Sequence, residues 1–346
     1  MKMTFRWYGE SDPVTLEKIR QIPGMTGIVS AVYSVPVGEV WGEEHIERIR
    51  KAANDAGLEF EVVESVPVHE SIKLGDSDAP RLIENYCENI RRLGKAGVKV
   101  ICYNFMPVFD WLRSELSREL ADGSNALAYE NAEVLALDPS VSELSLPGWD
   151  ESYTKGQLME LLEKYKQIDS EKLWENLHAF LSKAVPAAAE AGVSLAIHPD
   201  DPPWGIFGLP RIICSEADID RFLKLVDMPE NGLTFCTGSL GVSPDNDIPK
   251  MAAKYAKMGR IHFAHLRNIL ITGERCFEES GHLSANGSLD MDAIVKALKF
   301  NGFKGYIRPD HGRMIWGETG KPGYGLFDRA LGAAYINGLW EASKEG

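Results

Sequence analysis

Eight short segments rich in β-branched and aromatic residues recur along the 346-residue chain, each separated from the next by helix-like sequence. These segments are residues 3–8, 27–33, 58–65, 98–105, 193–198, 233–238, 260–266 and 305–310. Eight strands that alternate with helices are typical of a closed (β/α)8 or TIM barrel, and such barrels reach this length when they carry insertions. An open doubly wound sheet is the alternative, but no Gly-x-Gly-x-x-Gly follows a strand. The alternation therefore predicts an α/β protein built as one barrel domain over residues 1–346.

The segments between the strands have the pattern of amphipathic helices that end in glycine. EEHIERIRKAANDAG precedes the third strand and LIENYCENIRRLGKAG precedes the fourth. LHAFLSKAVPAAAEAG and DMDAIVKALKFNG precede the fifth and the eighth strands in the same way. Glycine just beyond the last helical turn is the common C-cap, so these sequences mark the places where the helices end.

One connection is much longer than the others. Between the fourth and fifth strands, residues 106–170 replace a single helix and include FDWLRSEL, an Ala-rich segment typical of a helix, and KGQLMELLEKYKQI. This insertion leaves from the C-terminal end of a strand, where the active sites of such barrels lie. We therefore expect it to cover the barrel mouth as a cap.

Charge and cysteine content narrow the possible partners. Lys and Arg number 37 and Asp and Glu 51, which gives a formal net charge of −14. Nucleic-acid binding rests on clustered cations, so this balance argues against a nucleic-acid partner but leaves room for a small anionic substrate. No apolar run is long enough to span a membrane, and the N-terminus has no signal-peptide pattern. Together with five cysteines that form no Cys-x-x-Cys pair, this predicts a soluble cytoplasmic protein with reduced thiols and no membrane partner.

The last four predicted strands each end in a residue type that binds metal ions. These residues are His198 in AIHPDDPP, Cys236 in TFCTGS, His265 in HFAHLRN and Asp310 in YIRPDHG. Neighbouring strands lie about 4.8 Å apart, so four inward-facing side chains can converge on one divalent ion and leave coordination open for a substrate. Each residue alone has a simpler explanation, such as a hydrogen-bonded structural histidine or a small buried cysteine. The joint pattern on successive strands favours a metal site.

Two histidines compete for the ligand position on the seventh strand. His262 and His265 are three residues apart, so strand alternation directs them to opposite faces. We predict His265 as the ligand because it lies nearer the end of the strand. Thiolate and imidazole donors suit zinc or ferrous iron, and the carboxylate also admits manganese, so the donor types leave the metal open.

The motifs HPDDPP, FCTGSLG, HFAHLRN and RPDHG, in this order and spacing, resemble those of the mannonate dehydratase family. The resemblance extends over essentially the whole chain. It implies a barrel of the xylose-isomerase-like type that requires Mn²⁺ or Fe²⁺. The implied reaction is that of a hydro-lyase, which converts D-mannonate to 2-keto-3-deoxy-D-gluconate in hexuronate degradation. Position by position, the resemblance implies metal ligation by His198, Cys236, His265 and Asp310, and catalysis by His311 and Tyr324.

The implied reaction demands groups of the kind that this sequence places near the metal. Dehydration of an aldonic acid removes the proton beside the carboxylate and expels hydroxide from the next carbon, so it needs a base and an acid. His311 adjoins a predicted ligand, and Tyr324 lies in GETGKPGYG, a Gly-rich segment able to fold over the mouth. Which of the two is the base and which is the acid stays open.

Two arginines are candidates for binding the substrate carboxylate. Arg267 lies two residues beyond His265 and shares its face of the strand, which makes it the first candidate. Arg308 is the second, because the same alternation places it with Asp310. The alternative for both is an ordinary salt bridge at the rim of the barrel.

Other residues at the predicted mouth have two interpretations. Trp7 and Tyr8 end the first strand and either plug the barrel or line the pocket of the sugar acid. Asp200 and Asp201 belong to a Pro-rich rim loop, or one of them orients a metal ligand through a hydrogen bond. We predict substrate contact for the two aromatic residues.

Rival functions exist for a barrel of this kind. A metal-dependent sugar isomerase or epimerase would share the barrel, but such enzymes gather several carboxylates around two ions, whereas the cysteine and single strand-end carboxylate here fit one ion better. A barrel endonuclease for abasic DNA would need a basic face, against which the charge of −14 argues. A non-catalytic sugar-acid-binding regulator is the third alternative. The apolar C-terminal helix LFDRALGAAYINGLWEA packs either on the barrel or on a second subunit, so a homodimer is possible.

Overall fold

The computed structural model describes residues 1–137 and 155–344, and eight of its strands close into a parallel barrel. The strands in chain order are β1 (Lys2–Arg6), β2 (Met25–Ser30), β3 (Glu59–Glu64), β4 (Val100–Tyr103), β5 (Glu115–Glu119), β6 (Asn125–Glu130), β7 (Ser194–Ile197), β8 (Asn231–Cys236), β9 (Ile261–Leu266), β10 (Ile269–Gly273), β11 (Cys276–Glu279) and β12 (Tyr306–Pro309). The barrel has the order β1-β12-β9-β8-β7-β4-β3-β2, and the predicted (β/α)8 fold is confirmed.

Helices surround the barrel. They are α1 (Leu16–Ile19), α2 (Glu43–Asp55), α3 (Glu70–Leu74), α4 (Ala79–Lys95), α5 (Asn131–Ala136), α6 (Lys155–Tyr165), α7 (Ser170–Ala191), α8 (Glu216–Leu225), α9 (Thr237–Gly241), α10 (Ile248–Lys257), α11 (Met291–Phe300) and α12 (Phe327–Ala342). The long α7 ends as the sequence predicts, because Gly192 adopts a left-handed conformation with φ of 66° and caps the helix. No helix in the described part of the chain is long and apolar enough to cross a membrane.

Strand alternation separates two hydrophobic regions. The larger core lies between the barrel and the helices and includes outward-facing residues such as Phe5 and Ile101. A smaller cluster consists of barrel residues of the opposite parity: Val29, Val62, Val100, Cys102, Ala196 and Phe263. This cluster fills the barrel interior beneath the polar residues at the C-terminal ends of the strands.

A second sheet, which the sequence did not predict, joins the insertion to the barrel. Its four antiparallel strands have the order β10-β11-β6-β5, so β6 of the insertion pairs with β11, which follows the seventh barrel strand. The prediction of a helix for the Ala-rich segment is therefore wrong in part. Residues Asn125–Glu130 form β6, and only Asn131–Ala136 form a helix. Pairing with strands on both sides outweighs the helical propensity of this segment.

The cap predicted for residues 106–170 falls partly on residues 138–154, which lie outside the described residues. The described part of the insertion contributes Trp111 and Arg113 to the C-terminal end of the barrel, as detailed below. The C-terminal helix α12 packs on the barrel through a face that includes Gly332, Ala333 and Ile336. The homodimer stays a prediction.

Candidate active site

Three of the four predicted metal ligands converge at the C-terminal mouth of the barrel. His198 follows β7, Cys236 ends β8 and His265 lies near the end of β9. Cys236 and His265 are direct neighbours in the strand register, and one ligand atom from each of the three residues lies within 4.8 Å of the others. Neighbouring parallel strands therefore bring these donors together, as the spacing predicts.

Asp310 supplies a carboxylate to the same place. Its Oδ2 atom lies 3.6 Å from Sγ of Cys236 and 3.8 Å from Nδ1 of His265. Asp310 follows β12, whose neighbour in the barrel is β9. The four predicted donors thus form one cluster, in which Cys236, His265 and Asp310 are buried and His198 is partly buried. His262 lies elsewhere, against Gly232, and burial is the main cause that lowers its pKa to about 4.

Hydrogen bonds and contacts orient the two imidazoles. Nδ1 of His198 lies 2.7 Å from the carbonyl oxygen of Pro199, so this nitrogen donates and Nε2 is the nitrogen that could bind a metal ion. Nε2 of His265 lies 3.4 Å from Oε2 of Glu64, while its Nδ1 faces Asp310. A carboxylate behind a ligating histidine fixes the ring and raises its basicity. No sequence motif pointed to Glu64, because it ends β3 on the other side of the barrel.

The electrostatics of the cluster favour a bound cation. Burial raises the pKa of the Cys236 thiol, but the charge of Arg267 and hydrogen bonds from His198 and His265 outweigh it, so the pKa lies well below its ordinary value. Burial lowers the pKa of His198, but the hydrogen bond and charge of Cys236, with help from Asp310, raise it to about 9. The negative charges of Cys236 and Asp310 favour a proton on His198. The same negative charges would attract a divalent ion. The residues present therefore fit the metal that the site is predicted to hold.

The two predicted catalytic residues contact each other beside this cluster. Nε2 of His311 lies 2.7 Å from the hydroxyl oxygen of Tyr324, and both side chains are buried. Burial and the charge of Asp310 raise the pKa of Tyr324 to about 12, although Arg308 opposes the shift, so the hydroxyl carries its proton at neutral pH. Trp111 of the insertion packs against the His311 ring at a centroid distance of 5.2 Å.

The two predicted substrate-binding arginines are already engaged with carboxylates. Nη2 of Arg267 lies 2.6 Å from Oδ2 of Asp201, and its Nη1 contacts Glu279. Nε of Arg267 is also 3.1 Å from Oδ2 of Asp310. Gly238 makes room for this side chain, since a methyl group at that position would overlap the guanidinium. Arg267 therefore holds several carboxylates of the site in place.

Arg308 is committed in the same way. Its Nη2 lies 3.0 Å from Oε1 of Glu64 and 2.7 Å from Oδ1 of Asp310. The strand register places Arg308 beside His265, which explains its proximity to the metal cluster. Its predicted contact with substrate stays a prediction.

A buried ionic network, which sequence reasoning missed, supports His311. Oε1 of Glu279 lies 3.3 Å from Nδ1 of His311 and 2.9 Å from Nη2 of Arg113. Arg113 comes from the insertion and Glu279 from β11, and each is fully buried. As an acceptor at Nδ1, Glu279 leaves Nε2 of His311 to accept a hydrogen bond from Tyr324.

The remaining predicted residues have distinct surroundings. Tyr8 packs edge-to-face on Tyr324 with ring centroids 5.1 Å apart, whereas Trp7 lies in the hydrophobic core together with Phe5. Oδ2 of Asp200 accepts hydrogen bonds from the backbone of its own rim loop. Asp201 lies 3.1 Å from Oγ of Ser239, which in turn lies 3.1 Å from Sγ of Cys236. Of the two aspartates, Asp201 is the one connected to a predicted ligand.

The barrel and its mouth define a class of protein: a (β/α)8-barrel enzyme whose strand ends suit one divalent ion beside a histidine–tyrosine pair. A family model described as D-mannonate dehydratase (UxuA) matches residues 1–346. A mannonate dehydratase from Oceanobacillus iheyensis is 56% identical over 341 residues, which are 99% of this chain and 97% of the relative. The chain therefore belongs to the D-mannonate dehydratase family, and the predicted family and hydro-lyase class are confirmed.

Solved structures agree with this assignment. The crystal structure of mannonate dehydratase from Streptococcus suis serotype 2 has a TM-score of 0.92 and 51% sequence identity, and the match covers 99% of this chain and 94% of that chain. A xylose isomerase domain protein from Planctomyces limnophilus has a TM-score of 0.55 at 13% identity, covering 97% of this chain and 96% of that chain. The second likeness shows the shared fold alone, which is the predicted xylose-isomerase-like barrel.

Proposed function

We propose that the mouth of the barrel is the active site at which this enzyme dehydrates D-mannonate to 2-keto-3-deoxy-D-gluconate and water. The observation that carries the proposal is the convergence of four metal-binding side chains beside a hydrogen-bonded histidine–tyrosine pair, in a chain of this family. The proposed ligands of the ion, Mn²⁺ or Fe²⁺, are His198, Cys236, His265 and Asp310. When bound, the ion supplies electrophilic stabilisation of the negative charge that develops on substrate oxygens.

The protein's own residues move the protons. One step removes the proton from the carbon beside the carboxylate, and the other adds a proton to the hydroxyl that leaves the next carbon as water. Tyr324 is protonated at neutral pH and suits the acid, which leaves His311 as the base. Glu279 keeps the His311 ring in the orientation and tautomer that direct Nε2 toward the mouth. The proton taken in the first step balances the one given in the second.

The other predicted substrate residues have different proposed roles. We assign Tyr8 to the wall of the sugar-acid pocket, because it contacts Tyr324, and Trp7 to the support behind that wall. Arg267 and Arg308 both contact Asp310, and they serve the substrate by fixing this carboxylate and keeping it ionised. Burial raises the pKa of Asp310, but Arg308 and neighbouring cations outweigh this and hold it well below its ordinary value.

Residues 106–170 act as the cap of this site. The support is local: Trp111 contacts His311, and Arg113 donates to Asp201 at 2.7 Å and to Glu279 at 2.9 Å. A cap that excludes water strengthens the electrostatic interactions within the mouth. The five cysteines are all free, which supports a reducing, cytoplasmic compartment.

The test is a metal-dependent assay with a defined product. Protein stripped with a chelator should lose activity on D-mannonate, and Mn²⁺ or Fe²⁺ under reducing conditions should restore it with formation of a 2-keto-3-deoxy acid. Activity that survives in protein shown by elemental analysis to be metal-free would exclude the proposed role of the ligands. Conversion of an aldose to a ketose without loss of water would instead identify an isomerase.

A further inference from the structure

Arg6 differs from the other arginines that contact carboxylates of the mouth. Arg113, Arg267 and Arg308 each contact two or more carboxylates at 3.1 Å or less. The only carboxylate near Arg6 among the described residues is Glu64, whose Oε2 lies 3.3 Å from Nη1. That contact is not aligned as a hydrogen bond, and Nε and Nη1 of Arg6 have no hydrogen-bond partner within the described part of the chain. Buried donors of a charged group are costly to leave unpaired.

The position of Arg6 is that of a substrate-facing residue. It ends β1 and pairs in the strand register with Val29, whose side chain lies inside the barrel. Side chains of register neighbours in a parallel sheet share a face, so Arg6 also points into the barrel. About a tenth of its side chain (10%) is exposed, whereas Nε and Nη1 themselves are buried.

Arg6 lies between the metal cluster and the catalytic tyrosine. On one side, Glu64 connects it to the ligand His265. On the other, its guanidinium carbon lies 4.9 Å from the centre of the Tyr8 ring, and Tyr8 packs on Tyr324. A substrate held by the metal and placed under Tyr324 would bring its end groups within reach of this guanidinium.

We propose that Arg6 binds the carboxylate of the sugar acid and is the residue that selects an anionic substrate over a neutral polyol. A guanidinium matches a carboxylate in charge and in hydrogen-bond geometry. The interaction is present in the bound ground state and in the transition state, so its loss raises KM more than it lowers kcat. This inference rests on the proposed function.

The test compares Arg6→Met and Arg6→Lys with the control Arg260→Met. Arg260 is a similarly enclosed arginine that pairs with Asp227 and the carbonyl oxygen of Asn231 at the opposite end of the barrel. Arg6→Met should raise KM for D-mannonate about 10- to 100-fold, the effect of one lost charge-assisted hydrogen bond, with kcat within about threefold of wild type. The KM of Arg6→Lys should lie between the values of wild type and Arg6→Met, and Arg260→Met should keep the wild-type KM.

Two further measurements separate substrate binding from a structural role. Manganese content of Arg6→Met should equal that of wild type, because Glu64 keeps its contacts with Arg308 and His265. Added methylguanidinium should lower the KM of Arg6→Met, which a merely distorted fold would not show. If Arg6→Met does not fold, Arg6→Lys carries the test, with a rise in KM and unchanged metal content as the criterion.

The outcomes distinguish this inference from the function on which it rests. If wild-type protein loaded with Mn²⁺ does not dehydrate D-mannonate, the proposed function fails. If wild type is active and the folded Arg6 variant keeps its KM, or loses kcat together with metal at unchanged KM, the assignment of Arg6 is overturned while the function stands.

Discussion

Replacing Tyr324 with phenylalanine tests the proposed chemistry most directly, because it removes one hydroxyl and keeps the ring. The ring also packs on Tyr8, and this contact survives the change. The lost group is the partner of Nε2 of His311 at 2.7 Å. We expect a large effect on the chemical step and a small one on folding and metal binding.

The magnitudes follow from the two roles of the hydroxyl. A positioned acid contributes a factor of roughly 10²–10⁴ to kcat, which corresponds to about 3–5 kcal/mol of the activation barrier. Loss of one buried hydrogen bond lowers the free energy of unfolding by only about 1 kcal/mol. In a chain of this size that is a fall in Tm of about 2 °C.

The assay measures kcat, metal content and solvent deuterium incorporation at the carbon beside the carboxylate. A Tyr324→Phe variant that still exchanges this proton but releases no product has lost the acid and kept the base. The control is Tyr86→Phe, because the buried Tyr86 hydroxyl also makes one hydrogen bond, to the carbonyl oxygen of Val66 at 3.2 Å, and Tyr86 belongs to the core between the barrel and the helices. If Tyr324→Phe keeps metal and full kcat, the reasoning about the histidine–tyrosine pair is refuted.

Three further predictions concern the metal, the cap and the buried network. Calorimetry should show that Cys236→Ser weakens Mn²⁺ binding at least about tenfold, because a neutral hydroxyl is a poorer donor than a thiolate. The control Cys87→Ser should leave Mn²⁺ binding unchanged, since burial raises the pKa of the Cys87 thiol to about 11. Part of residues 106–170 should exchange amide hydrogens more slowly when metal and substrate bind. Unchanged exchange throughout these residues would show that the insertion does not close over the bound substrate. Glu279→Gln should lower the free energy of unfolding by about 3 kcal/mol in urea titrations, because two buried arginines lose a shared negative charge; an unchanged midpoint would show that the network does not need this charge.

The barrel was predictable because its strands carry a local signal. All four residues of Val100–Tyr103 are buried, as expected for a parallel strand covered by helices outside and side chains inside. The segment Asn125–Glu130 lacks such a signal, and its strand conformation comes from pairing with β11, which lies well over a hundred residues further along the chain. Pairing over that distance leaves no trace in local propensity.

The residues of the candidate site likewise fall into those that were predictable from the sequence and those that were not. The convergence of the four predicted metal ligands was predictable because each stands at the end of its own strand, where the fold brings side chains together. Glu279 stands at the end of a strand in the second sheet, and its partner Arg113 is 166 residues away in the sequence. The prediction that Arg267 binds substrate followed from its position two residues beyond His265. That position does not reveal the carboxylates that contact its guanidinium, and the substrate contact stays a prediction.

The charge balance of the mouth supports the proposal that Arg6 binds the substrate carboxylate. Four arginines face four carboxylates there, and these are Arg6, Arg113, Arg267 and Arg308 with Glu64, Asp201, Glu279 and Asp310. With imidazoles counted as neutral, these eight groups cancel. A divalent ion would add two positive charges and the Cys236 thiolate removes one, so these groups together with the ion would carry one excess positive charge. Burying an unbalanced charge is costly, and a sugar acid with a single carboxylate neutralises it. Among the described residues Arg6 has one carboxylate nearby, Glu64, whereas the other three guanidinium groups are each enclosed by at least two.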